Sequence, residues 1–285
     1  MAIWIAVFVS AALLLIGGLW LYASNRKQAD IAANQIEQPA DTVQPAAEPP
    51  LVEEQSEPSF EAAELQVALD EWSKTVGGAA SVTVMTPEGE VLAELNKDEV
   101  FFAASIYKLY VAYYGYRQVD DGAVDVDASY TGGHTRGECL DLMIRESDSP
   151  CAEKLWAELG KAELTAALEQ IGITNTSMTA ITTTSHDAAL MLARIARGEG
   201  LSEGSQALFL DSMKNQVYRD ALNKGFSDAV TIYNKIGFRE QDEYHDVAIV
   251  EFSDGRQLTV SVLTSSVGTR GIADLGTRIE AAVGQ

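Results

Sequence analysis

The stretch Phe101-Phe102-Ala103-Ala104-Ser105-Ile106-Tyr107-Lys108 leads from apolar and small residues into a serine, and an aromatic helical pattern follows it. If Ser105 lies in the first turn of that helix, Lys108 lies one turn later on the same face, with Cβ atoms roughly 5–6 Å apart. A partly desolvated lysine can take the proton of a serine hydroxyl and make the serine a nucleophile. The S-x-x-K pattern is weak by itself, because it occurs about once by chance in a chain of this length. A helix-capping serine with a solvated lysine is the simpler interpretation.

Two later motifs place further polar groups in a fixed order along the chain. Ser147-Asp148-Ser149 lies in a short break between two helical segments, and Lys235-Ile236-Gly237 lies in a strand-like segment. We expect Lys235 to project toward a cleft and Gly237 to let the backbone of a ligand approach closely. The order S-x-x-K, S-D-x, K-x-G, with intervals of about 40 and 90 residues, favours a nucleophilic Ser105.

Apolar periodicity predicts an α+β fold, because strand-like segments occur near both ends of the domain and helical spacing dominates between them. The predicted strands are Ala80–Met85, Val91–Leu95, Ala229–Phe238, Val247–Phe252 and Leu258–Leu263. The predicted helices are Ser59–Val76, the Ser105 helix ending before Asp120, Gly137–Arg145, Pro150–Leu159, Ala162–Ile171, Ser185–Arg197, Ser202–Met213 and Gly271–Val283. We therefore expect an antiparallel sheet built from both ends of the chain, flanked by helices, with a mostly helical insert.

The N-terminal segment predicts a membrane anchor over residues 1–23. Residues 2–23 carry no charge and are long enough to cross a bilayer as one helix, with aromatic residues near both ends. Arg26 and Lys27 follow this segment, and the positive-inside rule would then leave the C-terminus in the cytoplasm. The function inferred below requires the opposite orientation, so the two indications conflict.

Residues 24–58 are rich in Pro, Ala, Gln and Glu and show little apolar periodicity, which predicts a disordered linker. The remaining residues, 59–285, then form one folded domain. Together the segments predict a single-pass protein of the cell membrane, and the function inferred below predicts that its folded domain is extracytoplasmic. No feature indicates an oligomer, and a monomer is assumed.

Charge and motif content exclude several classes of function. The net charge of −22, from 42 acidic and 20 basic residues, argues against nucleic acid or an anionic membrane surface as a partner. The sequence contains no H-E-x-x-H, C-x-x-C or glycine-rich phosphate loop, so we predict neither a metal nor a cofactor.

From about residue 60 to the C-terminus, the three motifs resemble the signature set of the class A β-lactamase and penicillin-binding protein superfamily of serine acyl-transferases. The resemblance implies that Ser105 is the acylated nucleophile and that Lys108 is its base. Ser147 would relay a proton to the leaving nitrogen, and Asp148 would hold the loop.

The resemblance also assigns the substrate-binding side. Lys235 would bind the substrate carboxylate, with Ser149 and Gly237 lining the same site. The backbone N–H groups of Ser105 and Phe238 would form the oxyanion hole. A β-lactam or a cell-wall peptide is the implied small-molecule partner.

Three departures from the family pattern bear on the chemistry. Ser149 stands where asparagine is usual, and Ile236 stands where a threonine or serine hydroxyl would help to hold the carboxylate. The interval 173–181, where class A enzymes carry the glutamate that activates the deacylating water, contains no carboxylate. The sequence therefore favours acylation but does not favour fast hydrolysis of the acyl-enzyme.

Three functions fit these features. The first is a β-lactamase with slow deacylation, and the second is a D-Ala-D-Ala peptidase or transferase of the penicillin-binding type. The third is a non-catalytic domain that binds β-lactams or wall peptide. The presence of both Ser105 and Lys108 argues against the third, whereas Ser149 and Ile236 argue for it.

Cys139 and Cys151 flank the Ser147 loop on the two arms of a predicted helical hairpin. They are either two buried small apolar residues or a disulfide, and a disulfide requires a location outside the cytoplasm.

His134, His186 and His245 invite a search for a Ser-His-Asp triad, because Asp187 and Asp246 follow two of them. Adjacent residues on a helix or strand do not face each other, so we expect surface or packing histidines instead.

Overall fold

The computed structural model describes residues 60–239 and 242–284. Five strands form one antiparallel sheet in the order β2-β1-β9-β8-β7. These strands are β1 Ala79–Met85, β2 Val91–Leu95, β7 Thr231–Arg239, β8 Glu243–Glu251 and β9 Gln257–Ser265. The first two strands come from one end of the domain and the last three from the other, as the sequence predicts. Strand β7 lies at one edge of the sheet.

Helices make up most of the described chain between β2 and β7. The α-helices are α1 Ala62–Ser73, α2 Tyr107–Asp120, α3 Arg136–Arg145, α4 Ser149–Leu159, α5 Lys161–Gln170, α6 Ser185–Ala196, α7 Glu203–Lys214, α8 Leu222–Gly225 and α9 Gly268–Val283. Four short strands were not predicted as strands: β3 Phe101–Phe102 pairs with β6 Thr182–Thr183, and β4 Ser129–Thr131 pairs with β5 His134–Thr135. Gly132 and Gly133, both with positive φ, form the turn between β4 and β5.

The sheet is buried on both faces, and β8 shows how. Val247 and Ile249 join the core around α2, whereas Ala248 and Val250 join the core under α1 and α9. Side chains alternate between the faces of a strand, so helices on both faces require a nearly continuous apolar strand. Helix α2 is buried through Leu109–Tyr113, as expected for a central helix surrounded by others.

The structure corrects one local prediction. Ser105 lies in a 3₁₀ turn, Ala104–Ile106, and α2 begins only at Tyr107. The predicted anchor and linker, residues 1–58, lie outside the described residues. Within the described part, no helix is both long and apolar enough to cross a membrane.

Candidate active site

The turn that carries Ser105 is held in an unusual backbone conformation. Ala104 has φ +43°, which costs a non-glycine residue free energy and is often found at functional sites. The Ala103 N–H donates to the Ile181 carbonyl at 2.8 Å, and the Ile106 N–H donates to the Ala103 carbonyl at 2.9 Å. These bonds fix the Ser105 backbone at the start of α2.

His245 supports the same turn from the sheet. Its Nε2 donates to the Phe102 carbonyl at 2.7 Å, because its Nδ1 accepts the Thr264 N–H at 3.1 Å and therefore carries no proton. Burial lowers the pKa of His245. The residue is fully buried, as a packing histidine is, but its contact with Phe102, three residues before Ser105, was not predicted from the sequence.

Lys108 is 1% exposed and points toward the α3–α4 loop. Its Nζ donates to the Ser147 carbonyl at 2.5 Å, to Ser147 Oγ at 3.2 Å and to Ser149 Oγ at 3.2 Å. Burial lowers its pKa to about 8, although the charges of Asp148 and Glu153 act in the opposite direction. The neutral form of Lys108, which can accept a proton, is therefore populated at a lower pH than the neutral form of an ordinary lysine.

Ser147 lies between two buried lysines. Lys235 Nζ donates to Ser147 Oγ at 2.9 Å and to the Ile236 carbonyl at 2.8 Å. Lys235 is 0% exposed, and burial and the charge of Lys108 lower its pKa well below its usual value. The Ser147 hydroxyl is thus within hydrogen-bond distance of two groups that can exchange protons with it.

The loop around Ser147 is braced at both ends. Ser147 has φ +59°, and Asp148 caps α4 by accepting the Cys151 N–H at 2.8 Å. Cys139 and Cys151 form a buried disulfide between α3 and α4, which decides between the two alternatives that the sequence leaves open. Ser149, exposed at the first position of α4, keeps a hydrogen bond to Lys108 in place of the asparagine that is usual in the family.

Strand β7 packs closely against the Ser105 turn at Gly237. A Cβ added there would lie 3.0 Å from Ile106 Cγ1 and 3.2 Å from the Ala103 carbonyl oxygen. The glycine is therefore required by packing against the protein itself, in addition to any ligand. Phe238, the next residue, is exposed and lies on an edge strand, while Ile236 is buried.

Asn234 on β7 and Asp246 on β8 form a buried polar pair that was not predicted from the sequence. Asp246 accepts Asn234 Nδ2 at 3.0 Å and the Leu222 N–H at 2.9 Å, and all its surface is buried. Burial raises the pKa of Asp246 to about 7, while the charge of Lys235 lowers it. Their presence within two otherwise apolar strands was the feature of the sequence that could have indicated this pair.

The 172–184 loop reaches the Ser105 turn through Ile181 but presents no carboxylate of its own. Its Thr176 hydroxyl bonds to the Thr183 hydroxyl at 2.8 Å and donates to Asp187 Oδ2 at 2.8 Å. Thr183 also bonds to the Tyr110 hydroxyl at 2.7 Å. Asp187, just beyond the loop, is buried in this network, and burial raises its pKa.

The other two histidines are His134 and His186, and His186 directly precedes the buried Asp187. His134 is exposed near Glu138, and His186 follows the first residue of α6. Across residues 60–239 and 242–284, no group of three or more His, Cys, Asp or Glu side chains is placed to hold a metal ion.

The residues of this site all lie in the part of the chain that matches one sequence family. The model of the beta-lactamase enzyme family matches residues 64–283, which include Ser105, Lys108, Ser147 and Lys235. The chain belongs to this family. Membership confirms the resemblance carried by the three motifs.

Individual curated relatives share little more than a quarter of their aligned residues with this chain. A beta-lactamase from Mycobacterium tuberculosis (strain ATCC 25177 / H37Ra) is 28% identical over 156 residues, covering 48% of this chain and 51% of the relative. A beta-lactamase from Mycobacterium bovis gives the same values. The chain therefore spans about half the length of the curated relatives that it matches.

Solved structures share the fold over most of the chain. PBP-A superposes with a TM-score of 0.69 at 22% identity, covering 77% of this chain and 95% of PBP-A. An ancestral class A β-lactamase superposes with a TM-score of 0.71 at 23% identity, covering 76% and 99%. A PBP-A mutant in an acyl-enzyme complex with penicillin G gives 0.69 at 22% identity, covering 79% and 97%. These likenesses confirm the predicted α+β architecture.

Proposed function

We propose that the protein is a serine hydrolase that β-lactams acylate at Ser105 and whose acyl-enzyme breaks down slowly. The observation that carries this proposal is the Lys108–Ser147–Lys235 cluster beside the Ser105 turn. Neutral Lys108 takes the Ser105 proton as the hydroxyl oxygen attacks the carbonyl carbon. Ser147 donates its proton to the leaving nitrogen and regains one from a neighbouring lysine.

The Ser105 and Phe238 N–H groups are assigned to the developing oxyanion. Ser105 lies just before α2, where N–H groups and the helix dipole favour negative charge. Phe238 follows the glycine that contacts the Ser105 turn. Lys235 is assigned to binding the substrate carboxylate. It acts there without help from a neighbouring hydroxyl, because residue 236 is isoleucine.

Slow deacylation is supported by the 172–184 loop. Hydrolysis of an acyl-enzyme needs a group that takes a proton from water at the ester carbonyl. The loop offers hydroxyl and amide groups, and Asp187 is buried, with its Oδ2 accepting from the Thr176 hydroxyl and the Asn175 N–H.

The experiment is intact-protein mass spectrometry after exposure to penicillin G. We expect one stable adduct on the wild type and none on Ser105→Ala. Equal labelling of both proteins would overturn the assignment of the nucleophile.

A second candidate function is a peptidase or transferase acting on D-Ala-D-Ala-type wall peptides. The loop without a carboxylate favours it, because an acyl group that resists water can be passed to an amine. Release of D-alanine from a model peptide, with persistent penicillin adducts, would support this function over a β-lactamase. An unmodified protein that binds either ligand reversibly would support the non-catalytic alternative.

We also propose that the domain is extracytoplasmic and tethered through residues 2–23. The uncharged N-terminal segment and the Cys139–Cys151 disulfide support this location, because disulfides persist in oxidising compartments. Alkaline phosphatase fused after Gln285 should be active in the producing cell. An inactive fusion, with an active cytoplasmic reporter at the same site, would contradict the orientation and agree with Arg26 and Lys27.

A further inference from the structure

Three large apolar side chains are exposed together at the outer edge of β7. Val217 is 55% exposed, Tyr218 39% and Phe238 46%. The Tyr218 and Phe238 rings lie 5.9 Å apart in a T-shaped arrangement, and Phe238 stacks on Tyr244 at 6.2 Å. Exposed aromatic side chains that already contact one another offer a flat apolar ligand both ring faces and ring edges.

The position of Phe238 ties this group to the reacting centre. Gly237 touches Ile106 and the Ala103 carbonyl in the turn that holds Ser105. Phe238 is the next residue on β7, which is an edge strand. Under the proposed function its N–H binds the oxyanion, so a substrate bound at Ser105 along this strand reaches Phe238.

The position of Tyr218 shows which end of the substrate lies there. The Val217 N–H donates to the Arg145 carbonyl at 3.0 Å, and Gln216 Nε2 donates to the Ile144 carbonyl at 2.7 Å. These bonds fix residues 216–218 to the end of α3, immediately before the Ser147 loop. Under the proposed function Ser147 protonates the leaving nitrogen, so Tyr218 lies on the leaving-group side.

We infer that Tyr218 and Phe238 form a specificity-determining surface for acyl donors whose leaving-group fragment carries an aromatic or flat apolar substituent. The inference rests on the proposed acylation of Ser105. The buried Ile236 supplies no hydroxyl at this edge, so apolar contact contributes to recognition where a polar contact is missing.

The test uses two cephalosporins, nitrocefin and cephalothin, which share one acylamino side chain. They differ in the substituent on the dihydrothiazine ring, which is an aromatic dinitrostyryl group in nitrocefin and an acetoxymethyl group in cephalothin. The second-order rate constant of acylation is measured for each, and their ratio is compared between variants. The intrinsic reactivity of each compound cancels in this comparison.

Tyr218→Ala and Phe238→Ala should each lower the nitrocefin-to-cephalothin ratio about 2–10-fold, the range expected for one aromatic contact. Tyr218→Phe should keep the wild-type ratio, as should Leu208→Ala, which removes an exposed apolar side chain on α7. An unchanged ratio in both alanine variants, with both compounds still acylating Ser105, would overturn the inference alone. Absence of any adduct on the wild type would overturn the proposed function and this inference with it.

Discussion

Two regions lie at the Ser105 turn and the start of α2, and they differ in the polar side chains that they contain. The region formed by Lys108, Ser147, Ser149 and Lys235, here called the acylation cluster, links its polar groups by hydrogen bonds of 2.9–3.2 Å between side chains. The 172–184 loop touches the turn through Ile181 and directs its buried hydroxyls inward, toward Tyr110 and Asp187. Under the proposed function, this contrast means that the site retains the groups that form an acyl-enzyme and lacks a loop carboxylate that would help to break it down.

Removal of the base of the acylation cluster should have the largest effect on the acylation rate. Lys108→Ala should slow acylation by penicillin roughly 10²–10⁴-fold, the usual contribution of a general base. Lys74→Ala, which changes an exposed lysine near the end of α1, should acylate at the wild-type rate. A Lys108→Ala protein that is acylated as fast as the wild type would assign the base elsewhere.

The pH profile tests the same residue without mutation. Burial lowers the pKa of Lys108 from 10.5 to about 8, so the neutral, proton-accepting form is populated above pH 8 and lost below it. The acylation rate should therefore fall about tenfold for each pH unit below 8 and level off above it. A rate that is flat between pH 6 and pH 9 would contradict a titrating lysine base.

Packing of β7 against the nucleophile turn should have a smaller effect. Gly237→Ala places a Cβ 3.0 Å from Ile106 Cγ1, which displaces the Ser105 turn or the strand. We expect acylation to slow about tenfold, since small displacements of reacting groups are costly. Gly77→Ala, where an added Cβ meets no atom within 4 Å, is the matched control. Equal rates for both variants and the wild type would mean that this contact does not position the turn.

The disulfide should have the smallest effect on rate. Replacing Cys139 and Cys151 by alanine should reduce the free energy of unfolding by at most about 3 kcal/mol, because the closed loop is short. Acylation should slow severalfold, because Ser147 and its capping neighbour Asp148 lie between the two cysteines. Thermal melts and acylation rates of the double variant measure both effects. Wild-type values for both would show that the bond does not hold the loop.

Much of this molecule could be predicted because local sequence reports it directly. Alternating and helical apolar patterns gave the five main strands and most of the helices, with ends displaced by a few residues. The S-x-x-K, S-D-x and K-x-G motifs brought together Ser105, Lys108, Ser147 and Lys235 from three parts of the chain.

The parts that could not be predicted depend on contacts between distant residues. The 3₁₀ turn at Ser105 is set by Ile181 and His245, which contact Ala103 and Phe102 from 78 and 143 residues away along the chain. The burial of Lys235 and Asp246 follows from the packing of loops over β7 and β8, which strand periodicity does not report. Pairing of β3 with β6 joins two-residue segments that are too short to show any pattern.

Stopped-flow hydrolysis of a chromogenic cephalosporin tests the contrast between the two regions most directly. We predict a burst equal in size to the enzyme concentration, followed by a slow steady phase, because under the proposed function the acyl-enzyme forms faster than it breaks. Linear progress curves with turnover on the order of 10² per second and no detectable adduct would contradict it. That result would mean that an efficient base for deacylation lies outside the 172–184 loop.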